Sequence, residues 1–148
     1  MKRNTGVRFL LDVNVLTALA IPSHSFHQAA HAWFRREPDR PWATCPLTQA
    51  GFLRVASRAI GSSRDAVRQV LASLEKDCQS PNHEYWPVDV DLRGLSDSLR
   101  SRLMGHNQIV DMQLLMLAHR HRGQLATFDK GIKELAAGTS YASSLLVL

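Results

Sequence analysis

The 148 residues, 45% hydrophobic and 21% charged, suit a single globular domain and exclude a disordered tail, a collagen-like repeat or a two-domain design. Eighteen Lys and Arg against thirteen Asp and Glu leave a net charge of +5, and the basic residues are scattered rather than gathered into a block. That balance permits a polyanionic partner without naming one.

Val7 to Leu11 is a short apolar run that reads as a buried strand, and Asp12 follows it at once. A second apolar pattern through Ala20 suits a helix. Pro22-Ser23-His24-Ser25 breaks the chain, after which Phe26 to Arg36 spaces Ala29, Ala30, Trp33 and Phe34 as a second helix, ended by Pro38. Trp42 to Cys45 has room only for a brief strand. Pro46 then stands where the first turn of a helix favours proline, and Leu47, Ala50, Leu53 and Ala56 or Ile60 recur on one face. Gly51 within that helix costs about 1 kcal/mol relative to Ala, so close packing or a turn is expected to retain it. After Gly61-Ser62-Ser63, the stripe Val67, Val70, Leu71 and Leu74 marks a helix from Arg64 to Lys76. Pro81-Asn82-His83 precedes a candidate third strand, Tyr85 to Val90, and Leu92, Leu95, Leu99 and Leu103 predict a helix over 91–103. Ile109 to His121 is the most strongly helical segment, closed by Gly123. Gln124 to Phe128 is a fourth strand, with Asp129 directly behind it, and Ser144 to Leu148 suits a final edge strand. Strands alternating with helices along the whole chain predict one α/β domain over 1–148. Its form is a three-layer α/β/α sandwich around a mainly parallel sheet of four to five strands.

Met1-Lys2-Arg3 followed by Phe9 to Ile21 imitates a signal peptide, but Asp12 and Asn14 interrupt the apolar stretch. No run nears the roughly 20 apolar residues of a membrane span. Cys45 and Cys78 lack zinc-finger partners, so reduced thiols and a soluble, cytoplasmic protein are expected. His24, His27 and His31 fall at helical intervals without a matching acid or Cys and are read as a solvated face. Trp33, Trp42 and Trp86 are read as core.

Asp12 and Asp129 each sit just past an apolar strand, and in an open parallel sheet such positions converge on the ligand crevice. Asp111 lies in the first turn of a helix, in line with Leu114, Leu115 and Ala118, a costly place for an uncompensated carboxylate. Two carboxylates at about 4 Å repel by about 4 kcal/mol at an effective dielectric near 20. A domain with a total stability of about 5–15 kcal/mol carries few such pairs. The acids are therefore apart, or one is protonated, or a hard divalent cation sits between them. Oxygen-only ligands favour Mg2+ or Mn2+ over Zn2+. Taken singly, each acid also has an ordinary reading. Asp12 and Asn14 fit a strand-end turn or helix cap, and Asp111 is favourably placed near a helix N-terminus.

Four stretches, in order, carry a family resemblance: Phe9-Leu10-Leu11-Asp12-Val13-Asn14-Val15-Leu16, Cys45-Pro46-Leu47-Thr48-Gln49-Ala50-Gly51-Phe52-Leu53-Arg54-Val55, Val110-Asp111-Met112-Gln113-Leu114-Leu115 and Leu125-Ala126-Thr127-Phe128-Asp129. Together they resemble the PIN-domain ribonucleases, and among these the VapC toxins of bacterial toxin–antitoxin pairs. The resemblance implies Mg2+- or Mn2+-dependent endonucleolytic cleavage of RNA phosphodiester bonds through a metal-activated water. It also implies neutralisation by a small VapB-type antitoxin, and homodimers. It carries over Asp12, Asp111 and Asp129 as metal-site acids, with Asn14 and Thr127 as polar groups that orient them.

The family usually has a glutamate in the helix after the second strand. The aligned residue here is Gln49, which coordinates weakly or hydrogen-bonds but brings no charge. Gln49 is assigned to the catalytic set as a residue orienting a water, with Thr48 as a supporting neighbour. Arg54, on a helix that starts at the sheet's carboxyl edge, is assigned as a phosphate contact. The same amide leaves a second reading open, a PIN-like RNA- or protein-binding module with weakened catalysis. A receiver-type phosphorylation domain fits less well, because it asks for a pair of early acids and the first strand supplies only Asp12 with Asn14.

Overall fold

A computed structural model of the chain describes residues 6–148; Met1-Lys2-Arg3 lies outside them. The strands β1 (Phe9–Leu11), β2 (Trp42–Thr44), β3 (His83–Tyr85), β4 (Gln124–Thr127) and β5 (Leu145–Val147) form one sheet. Their order is β3-β2-β1-β4-β5 and every pairing is parallel. The helices are α1 (Val13–Ala20), α2 (His27–Arg35), α3 (Pro46–Ala59), α4 (Arg64–Asp77), α5 (Asp97–Arg100), α6 (Gln108–Arg120) and α7 (Ile132–Ala136).

Alternation along the strands divides the core between the two faces of the sheet. Leu10, Ala43 and Leu125 pack with Leu114, Leu115 and Leu117 of α6 and with Ile132 of α7. Leu11, Trp42 and Ala126 point the other way, against Val15 of α1, Phe52 of α3 and Val70 and Leu74 of α4. This is the expected three-layer sandwich, with the sheet wholly parallel. The chain steps outward from β1 to β2 and β3, then crosses back to place β4 on the other side of β1. Ligand crevices of parallel sheets open at such a reversal, beyond the carboxyl ends of the strands.

Gly51 is retained by close packing. A Cβ there would lie 2.5 Å from Val13 Cγ2, so the missing side chain lets α3 lie against the first turn of α1.

Three expectations change. The third strand is His83–Tyr85 rather than Tyr85 to Val90, because an edge strand exists only where it pairs and β2 offers three residues. Trp86 N–H still donates to Thr44 C=O, but Pro87 follows and has no N–H to continue the ladder. The helix over 91–103 is broken. A 3-10 turn at Leu92–Gly94 is capped by Asp91, Leu95 is extended, and Ser96 caps the four-residue α5. Leu95 and Leu99 still reach Met112 and Leu135, so the leucine spacing reports burial without a continuous helix. Finally, His27 and His31 are not a solvated face. Their ring nitrogens lie 2.7 Å from Ala18 C=O and 2.8 Å from Leu19 C=O, where ring N–H groups satisfy carbonyls that the last turn of α1 leaves open. Trp42 and Trp86 are core as expected. No helix among the described residues is long and apolar enough to cross a membrane.

Candidate active site

Asp12 ends β1 and caps α1. Its N–H donates to Ala126 C=O (3.0 Å), fastening the end of β1 to β4. Oδ1 accepts from Val13 N–H (2.7 Å) and Oδ2 from the Thr127 hydroxyl (2.7 Å). The side chain is 7% exposed. Burial pushes its carboxyl above the ordinary value, the Thr127 and Val13 hydrogen bonds pull it part of the way back, and the charge of Asp129 adds to the push.

Thr127 is the hub. Besides donating to Asp12, its hydroxyl accepts from Asn14 Nδ2 (3.1 Å) and from Asp129 N–H (3.0 Å). That fills the one donor and two acceptor positions a hydroxyl has. Asn14 Oδ1 accepts from Phe128 N–H (3.1 Å), and Asp129 Oδ1 from Gly131 N–H (2.8 Å). The turn after β4 is thus held from both sides by Asn14 and Thr127.

Asp111 enters from the first turn of α6, half-buried. Its carboxyl is pushed up to about 6, first by burial and then by the charges of Asp12 and Asp129. Three acids from remote segments therefore share one field. They are looser than a closed cage: among the described residues no three Asp, Glu, His or Cys side chains form a ready metal-ligand set. An all-oxygen site of this openness fits Mg2+ or Mn2+, since Mg2+ keeps several waters and takes only one or two carboxylates. Each carboxylate oxygen accepting one hydrogen bond keeps a lone pair for a cation.

Gln49 lies in the first turn of α3, at the carboxyl edge of β2, and its Nε2 donates to Thr44 Oγ1 (3.0 Å). Thr44 Oγ1 is also 2.8 Å from His83 Nε2. Burial holds the His83 imidazole below its ordinary pKa. This chain turns the amide nitrogen of Gln49 inward and leaves Oε1 as the atom it can present elsewhere. Thr44 and His83 carry no local sequence signal; only the β2–β3 pairing brings them together.

Thr48 differs from its assignment. Its buried hydroxyl accepts from Cys45 N–H (3.0 Å) and donates to Cys45 C=O (3.1 Å), closing the N-terminus of α3 rather than touching the acids. Arg54 is exposed, two turns further along α3.

The PIN domain profile matches residues 9–138, a span containing Asp12, Gln49, Asp111 and Asp129. This chain belongs to the PIN-domain family. Over most of its length the PIN domain is similar to several Mycobacterium tuberculosis proteins. It is 37% identical to Ribonuclease VapC39 over 129 residues (86% of this chain, 93% of the relative). It is 39% identical to Ribonuclease VapC44 over 126 residues (85% and 89%). It is 41% identical to Ribonuclease VapC38 over 133 residues (86% and 89%). The PIN domain is thus of the VapC type. The crystal structure of FitAcB from Neisseria gonorrhoeae shares the fold, with a TM-score of 0.63 at 19% identity, covering 95% of this chain and 96% of that one.

Proposed function

We propose that this PIN domain is an Mg2+- or Mn2+-dependent endoribonuclease of the toxin type, held in check by a VapB-type antitoxin. The observation that supports the reading is that Asp12 Oδ2 and Asp129 N–H share the Thr127 hydroxyl, while the half-buried Asp111 carboxyl of α6 is raised to about 6, first by burial and then by the charges of Asp12 and Asp129. Similarity to three proteins named ribonucleases favours catalysis over binding alone. In this reading Asp12 and Asp111 hold the cation, Asp129 binds it directly or through water, and Asn14 and Thr127 keep those carboxylates aimed. Gln49 presents Oε1 to a water, because its nitrogen is engaged by Thr44. Arg54 contacts the RNA backbone. When bound, the divalent cation supplies an acidified water for in-line attack on phosphorus and a counter-charge for the phosphate oxygens. No His or Lys base is required.

Neutralisation and dimerisation belong to the same reading. A cleft of about 550 Å³, lined by Leu16, Leu19, Phe34, Phe52 and Leu74, offers an antitoxin segment apolar surface. Exposed Val55 on α3, Ile60 just past its end, and Val67 and Leu71 on α4 would pair with a second copy.

Structured RNA should be cut with Mg2+ or Mn2+, spared in EDTA, cut again when the cation is restored, and spared by Asp12→Ala. Equal cutting under all these conditions overturns the reading. Gln49→Glu addresses the binding-module alternative. The added charge is expected to tighten Mn2+ binding roughly tenfold, with wild-type cleavage already measurable. A silent wild type awakened by Gln49→Glu would favour the weakened module instead.

A further inference from the structure

The hydrolytic chemistry leaves one feature beside the acids unused. Phe128 separates Thr127 from Asp129, and its N–H is pinned by Asn14. Its ring lies face to face with that of Phe26, centroids 4.5 Å apart and planes 6° from parallel. Phe128 is half-buried against the apolar cluster of Leu11 and Ala126, so packing accounts for it. Packing does not account for Phe26, which stands just ahead of α2 with 45% of its surface exposed. One face of Phe26 is taken by Phe128, so the exposed area lies on the other face and the edges. The His24 ring stands beside it, 6.1 Å away and tilted by 41°, with Nδ1 accepting from Phe26 N–H (3.1 Å). The loop between α1 and α2 is thereby folded to present an aromatic ring at the end of a stack whose other member is bonded directly to Asp129.

We propose that Phe26 is a nucleobase-stacking residue of the substrate site: a base flanking the scissile phosphate lies on the open face of Phe26 and extends the Phe128–Phe26 stack. The inference rests on the ribonuclease reading above and adds a substrate-binding contact to it. Single-stranded RNA is commonly held this way, because unstacked bases regain on aromatic rings the π contact they lack in solution, with little regard to sequence. The acids attend to the phosphate and the rings to its neighbouring base, so the nucleotide is fixed at two points about the bond to be cut.

The test uses a fluorescein-labelled single-stranded oligoadenylate and an abasic oligomer of equal length, with Ca2+ in place of Mg2+. Phe26→Ala and Phe26→Leu should weaken oligoadenylate binding about five- to a hundredfold, whereas Phe26→Trp should retain it. All variants should bind the abasic oligomer equally. The emission of the introduced indole should be quenched when the oligoadenylate binds. In cleavage assays the Ala and Leu variants should raise KM and leave kcat near the wild-type value. Leucine keeps the apolar cover without a π-face, so a Leu variant equal to wild type overturns the proposal, as does an equal loss on the abasic oligomer. An effect confined to binding a protein partner overturns it too. A wild type that neither binds nor cuts RNA sinks the ribonuclease reading itself; a wild type that binds RNA with indifference to Phe26 sinks only the stacking role.

Discussion

Asp111→Asn is expected to make the metal-free protein more resistant to heat while cutting RNA hydrolysis roughly a hundredfold, the effect of losing about 3 kcal/mol of transition-state stabilisation. The two changes have one origin. Folding places the Asp111 carboxyl in a half-buried site facing Asp12 and Asp129 and raises it from its ordinary value of 3.8 to about 6. A carboxyl raised on folding contributes stability that is fully present below 3.8 and lost as pH rises through about 6. At neutral pH the metal-free wild type therefore bears a penalty on the order of 1–2 kcal/mol, after allowing for solvent screening. The Asn variant escapes it, so its melting temperature at pH 7.5 should exceed that of wild type by about 3–8 °C. The gap should close as pH falls from about 6 towards 4, where the wild-type carboxyl is protonated. Saturating Mg2+ or Mn2+ should reverse the order, because the cation stabilises wild type by mass action and finds a weaker site in the variant. Scanning calorimetry from pH 4 to 8, with and without metal, checks every part. An unchanged gap across that range would mean that burial and the neighbouring acids do not raise the Asp111 carboxyl.

Thr127→Val should cost both stability and activity although the side chain hardly changes in volume. The hydroxyl donates to Asp12 Oδ2 and accepts from Asn14 Nδ2 and Asp129 N–H. Valine leaves a buried carboxylate oxygen and two donors without that partner, at a cost of about 1–3 kcal/mol. It also removes the hydrogen bond that draws the Asp12 carboxyl down, so Asp12 holds its proton to higher pH. Losing an orienting group of this kind commonly lowers metal affinity or activity about 10- to 100-fold. Thermal denaturation and a Mn2+ titration should show both losses, and Thr127→Ser, which restores the hydroxyl, should recover most of each. A valine variant that binds Mn2+ like wild type would show that the hub does not orient the acids.

The parts of the fold and site legible in the sequence are those governed by local pattern. β1, β4 and α6 emerge from apolar runs and spacing, and the candidate acids Asp12, Asp111 and Asp129 are singled out by their positions relative to those elements. Gly51 signals close packing because its helical cost demands a reason. What the sequence hides depends on partners distant along the chain. The bounds of β3 follow the length of β2, and the leucines of 91–103 are buried by Met112 and Leu135 without a helix between them. Thr48 sits beside Gln49 in sequence, yet its hydroxyl turns back to Cys45. His83 reaches Gln49 only through Thr44, across two strands, and His27 and His31 find their carbonyls at the end of a different helix.

The bond from Thr127 to Asp12 joins positions 115 residues apart. On the ribosome, a nascent chain that has emerged only through α6 already contains Asp12 and Asp111, but neither the hydroxyl that aims Asp12 nor the third acid. The cluster of Asp12, Thr127 and Asp129 is completed only when β4 docks beside β1, so these side chains come together in step with closure of the sheet.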